Sequence, residues 1–145
     1  MKFKESIIIE MPAKKVFKFL SNYRSHKQFS TTYRETKQVT EGKMEEGVEL
    51  FTKSFFLGRK IETNSTVIRF VPEKEIKFKS ISGPVPSEIQ FLLDSEGETT
   101  RVTLNYQIEP GGFFQLGETF LRPRIGQELE ATMRNLKSIL EAKAS

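Results

Sequence analysis

The sequence predicts an α+β domain: a curved antiparallel sheet of about six or seven strands with one long helix packed across its concave face. Three observations carry this. Apolar and polar residues alternate along successive short segments, the period of a sheet with one wet and one buried face. Short turns join those segments, so neighbouring strands run antiparallel. The last stretch, "FLRPRIGQELEATMRNLKSIL" (residues 120–140), changes period. Its apolar residues recur at Phe120/Leu121, Ile125, Leu129, Met133, Leu136 and Ile139/Leu140, one stripe along a helix.

The elements follow in order. "KFKESIIIE" opens as a strand with Phe3, Ile7 and Ile9 on one face. "MPAKKVFKFLSN" reads as a short helix: Pro12 suits its first position, and Val16, Phe17 and Leu20 stand at helical spacing. "YRSHKQFS" is a second short helix that brings Phe29 back toward the first. "YRETKQVTE" and "GVELFTKSFFLG" are strands parted by the glycine-bounded turn "GKMEEG", and "KIETNSTVIRFV" ends at Pro72. "EKEIKFKSIS" places Ile76, Phe78 and Ser80 on one face, and "VPSEIQFLLD" groups Val85, Ile89, Phe91 and Leu93. "SEGET" turns into "TRVTLNYQIE", with Val102, Leu104, Tyr106 and Ile108 inward. No repeat, low-complexity tract or linker divides the chain, so residues 1–145 are expected to form a single domain.

Composition removes several classes of function. The absence of cysteine excludes disulfides, thiolate metal sites and cysteine nucleophiles. No apolar run is long enough to span a membrane, and the N-terminus has no signal-peptide pattern, so a cytoplasmic location is expected. The net charge of +4 is uneven: thirteen Lys and Arg face seven Asp and Glu in residues 1–60, against ten and twelve in residues 61–145. The basic residues are scattered singly among acids, which suits a solvated surface better than a nucleic-acid face. No phosphate loop, paired-histidine zinc motif or nucleophile elbow is present, and neither a cofactor nor a metal is expected.

A twisted sheet of this size has more concave surface than one helix about 10 Å wide can cover. The remainder is either plugged by side chains or left hollow, and geometry favours a cavity. Pro123 either kinks the covering helix or opens a new one, and Gly111, Gly112 and Gly117 suit a mobile approach to it. The candidate lining residues are Phe56, Phe78, Ser80, Phe91, Tyr106, Phe113 and Phe120. Strict alternation from Val39 would also turn Lys37, Glu35 and Tyr33 inward. A bulged or frayed edge strand would free them to solvent, and that is the expectation, since a buried charge costs several kcal/mol unless paired. Alternation from Val67 turns Ser65, Thr63 and Ile61 inward. His26, the one histidine, sits among polar neighbours and is expected to be exposed.

The chain resembles the SRPBCC superfamily. The resemblance is carried by "IIIEMPAKKVFKFLSNYRSHKQF", by "VPEKEIKFKSISGPVPSEIQFLLDSEGETTRVTLNYQIEPGG" and by "LRPRIGQELEATMRNLKSILE", whose order and spacing extend it over nearly the whole chain. It is most similar to the polyketide cyclase/dehydrase and lipid-transport branch, whose fold is the START-like or Bet v 1-like helix grip. Where many members have tryptophan after the second short helix, this chain has Phe29. The resemblance implies non-catalytic binding or transport of a hydrophobic or amphipathic small molecule between sheet and helix. Two alternatives come with it. One is a cyclase- or dehydratase-like enzyme, for which Glu35, Tyr106 and His26 are the available acid–base groups. The other is a protein-interaction module, chaperone- or ribosome-associated, with a protein as partner.

Overall fold

The computed structural model describes residues 1–144. Strand β1 (Lys2–Ile9) leads into helix α1 (Ala13–Leu20), a 3-10 turn (Tyr23–Ser25) and helix α2 (His26–Phe29). Six strands follow: β2 (Tyr33–Gln38), β3 (Glu49–Phe56), β4 (Arg59–Val71), β5 (Glu75–Ser82), β6 (Ser87–Glu96) and β7 (Thr99–Ile108). Helix α3 (Glu118–Ala144) closes the chain. The strands form one sheet in the order β1-β7-β6-β5-β4-β3-β2, antiparallel throughout. The first strand pairs with the last, so β1 and β2 are the two edges and the α1–α2 segment bridges between them.

Local chemistry explains the joints. Pro12 stands one residue earlier than expected, as the N-cap of α1, where its extended backbone (φ −62°, ψ 148°) starts the turn without an N–H. Val16, Phe17 and Leu20 then bury one face of that helix. Between β3 and β4 the two-residue turn Leu57-Gly58 has positive φ at both positions, the type I′ geometry whose twist matches paired strands.

Three register shifts interrupt the ladders, and two of them re-aim side chains toward or away from the interior. In β2, Tyr33 faces Ser54 and Glu35 faces Lys53, so Arg34 is an extra residue and the alternation changes phase behind it. Tyr33 and Thr36 therefore share the concave side, while Glu35 and Lys37 face outward. In β4 the extra residue is Ile68, which leaves Val67 and Phe70 inward, and the Phe70 ring meets Phe17 at 5.2 Å.

Helix α3 is longer than the sequence indicated. Its 27 residues span about 40 Å, and Pro123 stands inside it rather than at its start. Proline at that point leaves the Thr119 carbonyl without its helical donor, and both residues are exposed, so the carbonyl is not stranded in the interior. The helix lies over β1 and α2. Lys137 Nζ donates to the Ile8 carbonyl at 2.6 Å, and Asn135 Nδ2 donates to the Phe29 carbonyl at 3.2 Å. The buried apolar residues fall into two clusters. The larger gathers α1, α2 and the C-terminal half of α3 onto the sheet; the smaller holds Ile61, Val85, Ile108, Phe114, Leu121 and Ile125. Leu129 packs against both.

Candidate functional site

Between the two clusters lies a cavity of about 170 Å³. It is comparable to a ~150 Å³ apolar cavity that accepts one benzene ring and smaller than the ~300 Å³ at which sites for drug-sized ligands begin. Its walls differ in chemistry. One is apolar, built by Phe29, Phe78, Phe91 and Leu104 from the larger cluster and by Phe114 and Ile125 from the smaller. The other is a field of hydroxyls: Thr52 and Ser54 from β3, Thr63 and Ser65 from β4, and Ser80 from β5. These sit at every second position of adjacent strands, which is why they collect on one patch of the concave face. The hollow is amphipathic rather than oily.

Of the candidate lining residues, Phe56, Phe78, Ser80, Phe91 and Tyr106 face this cavity. The hydroxyl of Ser80 is already engaged, accepting from the Ser87 backbone N–H at 2.9 Å. Phe113 is not part of the lining. It packs edge-on against Phe114 (5.0 Å between rings) with the Arg59 guanidinium 4.1 Å above its own ring, and Phe114 turns into the cavity instead. Phe120 also lies outside. It is 41% exposed on the first turn of α3, with the Arg124 guanidinium 3.5 Å above its ring. The apolar stripe offered Phe120 or Leu121 at this point; each helical step rotates about 100°, and the chain buries Leu121.

His26 corrects the expectation of an exposed side chain. It is 6% exposed, lines the cavity, and stands perpendicular to the rings of Phe29 and Phe78 at 5.9 and 5.5 Å. Its Nε2 is 2.8 Å from the Leu20 carbonyl oxygen. Burial holds the imidazole below the usual histidine range, outweighing that hydrogen bond, which favours the charged ring. The misreading has a local cause. His26 is polar-flanked in sequence, but it begins a four-residue helix whose apolar partner Phe29 lies one turn away, and that spacing was the available signal.

Two tyrosines face the same space. Burial pushes the Tyr33 phenol up to about 12. Tyr106 is also raised, first by burial and then by the charge Tyr33 would carry as a phenolate. Neither hydroxyl has a hydrogen-bond partner among the described residues. Glu35, by contrast, sits on the outer face beside Lys37 (3.1 Å) and Lys53 (3.5 Å). Lys37 foremost holds its carboxyl below the usual range, and it is no acid–base group for the cavity. Among the described residues, no group of His, Asp and Glu is placed to hold a metal ion.

The lid over the cavity is α3, and a polar clasp fastens it. Thr31, between α2 and β2, donates its hydroxyl to the Glu128 carboxylate, and its backbone N–H donates to Thr132 Oγ1 at 3.3 Å. Glu128 and Thr132 both line the cavity.

Solved structures share this architecture. A protein of Thermus thermophilus superposes with a TM-score of 0.84 at 16% identity, with all of both chains covered. A START superfamily protein of Mycobacterium smegmatis gives 0.83 at 12% identity over 97% of each chain. The Zhui aromatase/cyclase of a Streptomyces species gives 0.82 at 12% identity, covering 100% of this chain and 96% of that one. At such identities the likeness establishes the fold alone. No curated protein matches the sequence. The family model for polyketide cyclase / dehydrase and lipid transport, however, matches residues 1–141. A helix-grip sheet, a hollow beneath its long helix and a family match over almost the full length lead to one conclusion: this chain belongs to the polyketide cyclase / dehydrase and lipid transport family.

Proposed function

We propose that the protein binds and carries a small amphipathic molecule, held between the sheet and α3 without chemical conversion. The observation that supports this best is the two-sided cavity: aromatic rings on one wall, hydroxyls on the other, and two tyrosine hydroxyls with no partner among the described residues. Burying apolar ligand surface supplies the binding energy at about 25 cal/mol per Å², and the few polar groups fix orientation. The volume suits a one-ring compound or a short chain. Larger ligands require α3 to lift.

The test is native mass spectrometry of gently purified protein, paired with organic extraction. The expected result is an adduct that leaves on denaturation and reappears in the extract. A bare protein mass with an empty extract, and no uptake of added one-ring compounds, contradicts the proposal.

A second reading has one specific support. His26, Glu128 and the two tyrosines all line the cavity, so groups able to move protons surround any guest. Cyclisation of a β-polyketone by the purified protein, lost in Glu128→Gln, would favour catalysis over carriage.

A further inference from the structure

We propose that the cavity selects neutral molecules bearing an acidic hydroxyl, a phenol or enol, whose proton is shared with Nδ1 of His26 while Tyr33 and Tyr106 hydrogen-bond the ligand's other oxygens. This rests on the binding reading above and names its ligand class.

The tautomer follows from one contact. A carbonyl oxygen only accepts, so the 2.8 Å approach of Nε2 to the Leu20 oxygen places the ring proton on Nε2. In the neutral ring Nδ1 is then a bare acceptor. It has no donor among the described residues, on a side chain that is 6% exposed and lines the cavity. Nδ1 is not sealed among protein atoms, since Thr36 Oγ1 is the one buried side-chain polar atom without a partner among the described residues, so this acceptor is open to a donor on a guest in the cavity. The ring cannot easily swing to find one, because Phe29 and Phe78 hold it edge-on from the cavity wall.

The neighbouring groups narrow the choice. No lysine or arginine lines the cavity, and its one carboxylate, Glu128, accepts from Thr31. A carboxylate ligand would enter with no cation to meet it, and an uncompensated buried charge is strongly disfavoured. Ionised acids are therefore disfavoured, which leaves un-ionised hydroxyls among the acidic donors. A phenol or enol is a stronger donor than an alkanol, and its flat framework fits among perpendicular phenylalanine rings.

The experiment compares para-cresol with para-xylene, a pair in which a methyl replaces the hydroxyl at nearly constant shape. Both are titrated by NMR into the wild-type protein and into His26→Leu, an apolar side chain that offers the ligand no acceptor. The cresol-over-xylene preference should be about tenfold greater in the wild type than in the variant. Equal preference in the two proteins overturns the assignment of His26 while leaving the binding reading intact. Failure of both probes to bind overturns the binding reading and this inference with it. A second readout needs no variant. The ¹⁵N resonance of Nδ1 in wild-type protein should move on adding para-cresol and stay put with para-xylene; the same response to both overturns the proposal.

Discussion

Thr36 holds a hydroxyl buried on the concave side of β2, opposite Thr52, with no hydrogen-bond partner among the described residues. An unmet buried hydroxyl costs stability, and valine has nearly the same shape without it. Thr36→Val should therefore raise stability by about 1 kcal/mol, read as a higher urea midpoint at unchanged slope. His26 gives a prediction of a different kind, because burial holds it below the ordinary histidine value of 6.5. Above that pH, folded and unfolded chains both carry a neutral ring, and the group contributes no pH dependence. Below it the unfolded chain takes up a proton that the folded chain resists, so stability falls as acid is added until the folded ring also titrates. The other ionisable groups lining the cavity are Tyr33, Tyr106 and Glu128, and both phenols stay protonated in that range. Wild type should thus lose up to about 1.4 kcal/mol per pH unit more than His26→Gln between about pH 6.5 and pH 5. Parallel urea-stability profiles for the two proteins would contradict this.

The clasp between the α2–β2 connection and α3 joins elements distant in sequence. Its central bond runs from the Thr31 hydroxyl to the Glu128 carboxylate, with Thr132 beside it. Removing that donor in Thr31→Val should loosen the connection without touching the sheet. Amide exchange at Thr31 and Thr32 should quicken by about tenfold, with β6 and β7 unchanged. At this same scale the sequence was readable in some places and not in others. The inward sets of β5, β6 and β7 follow from strict alternation, because the β5–β6 and β6–β7 registers run without a shift. Edge strand β2 is bulged, as expected of it: one extra residue, Arg34, turns Glu35 and Lys37 toward solvent but, against the expectation, leaves Tyr33 on the cavity side. A bulge of that kind leaves the composition of a strand unchanged, so nothing in the pattern marks its position. Within α3 the stripe identified the buried face but left Phe120 and Leu121 as equals, and packing at the helix start made the choice.

For the molecule as a whole, one physical statement organises the rest. A seven-stranded sheet is wider than the single helix laid on it, so the apolar interior divides into two clusters with a hollow between them. That mismatch of widths was legible, since it depends only on strand number and helix count. The character of the hollow was less so. The candidate lining was mostly phenylalanine, with Ser80 and Tyr106 as its polar members, whereas the hydroxyls of β3, β4 and β5 form a second wall. Ser65 and Thr63 were placed inward by alternation from Val67, but their convergence with Thr52 and Ser54 depends on the β3–β4 register. The polar contact at His26 was missed for the same reason: its importance comes from Leu20, Phe29 and Phe78 meeting around it.

The most direct measurement is a crystal structure of the natively purified protein. The account predicts non-protein electron density between the Phe78–Phe91 wall and the hydroxyls of Ser65 and Thr63, beneath Leu129. Side chains of the protein itself filling that space, or α3 docked away from the concave face, would contradict it.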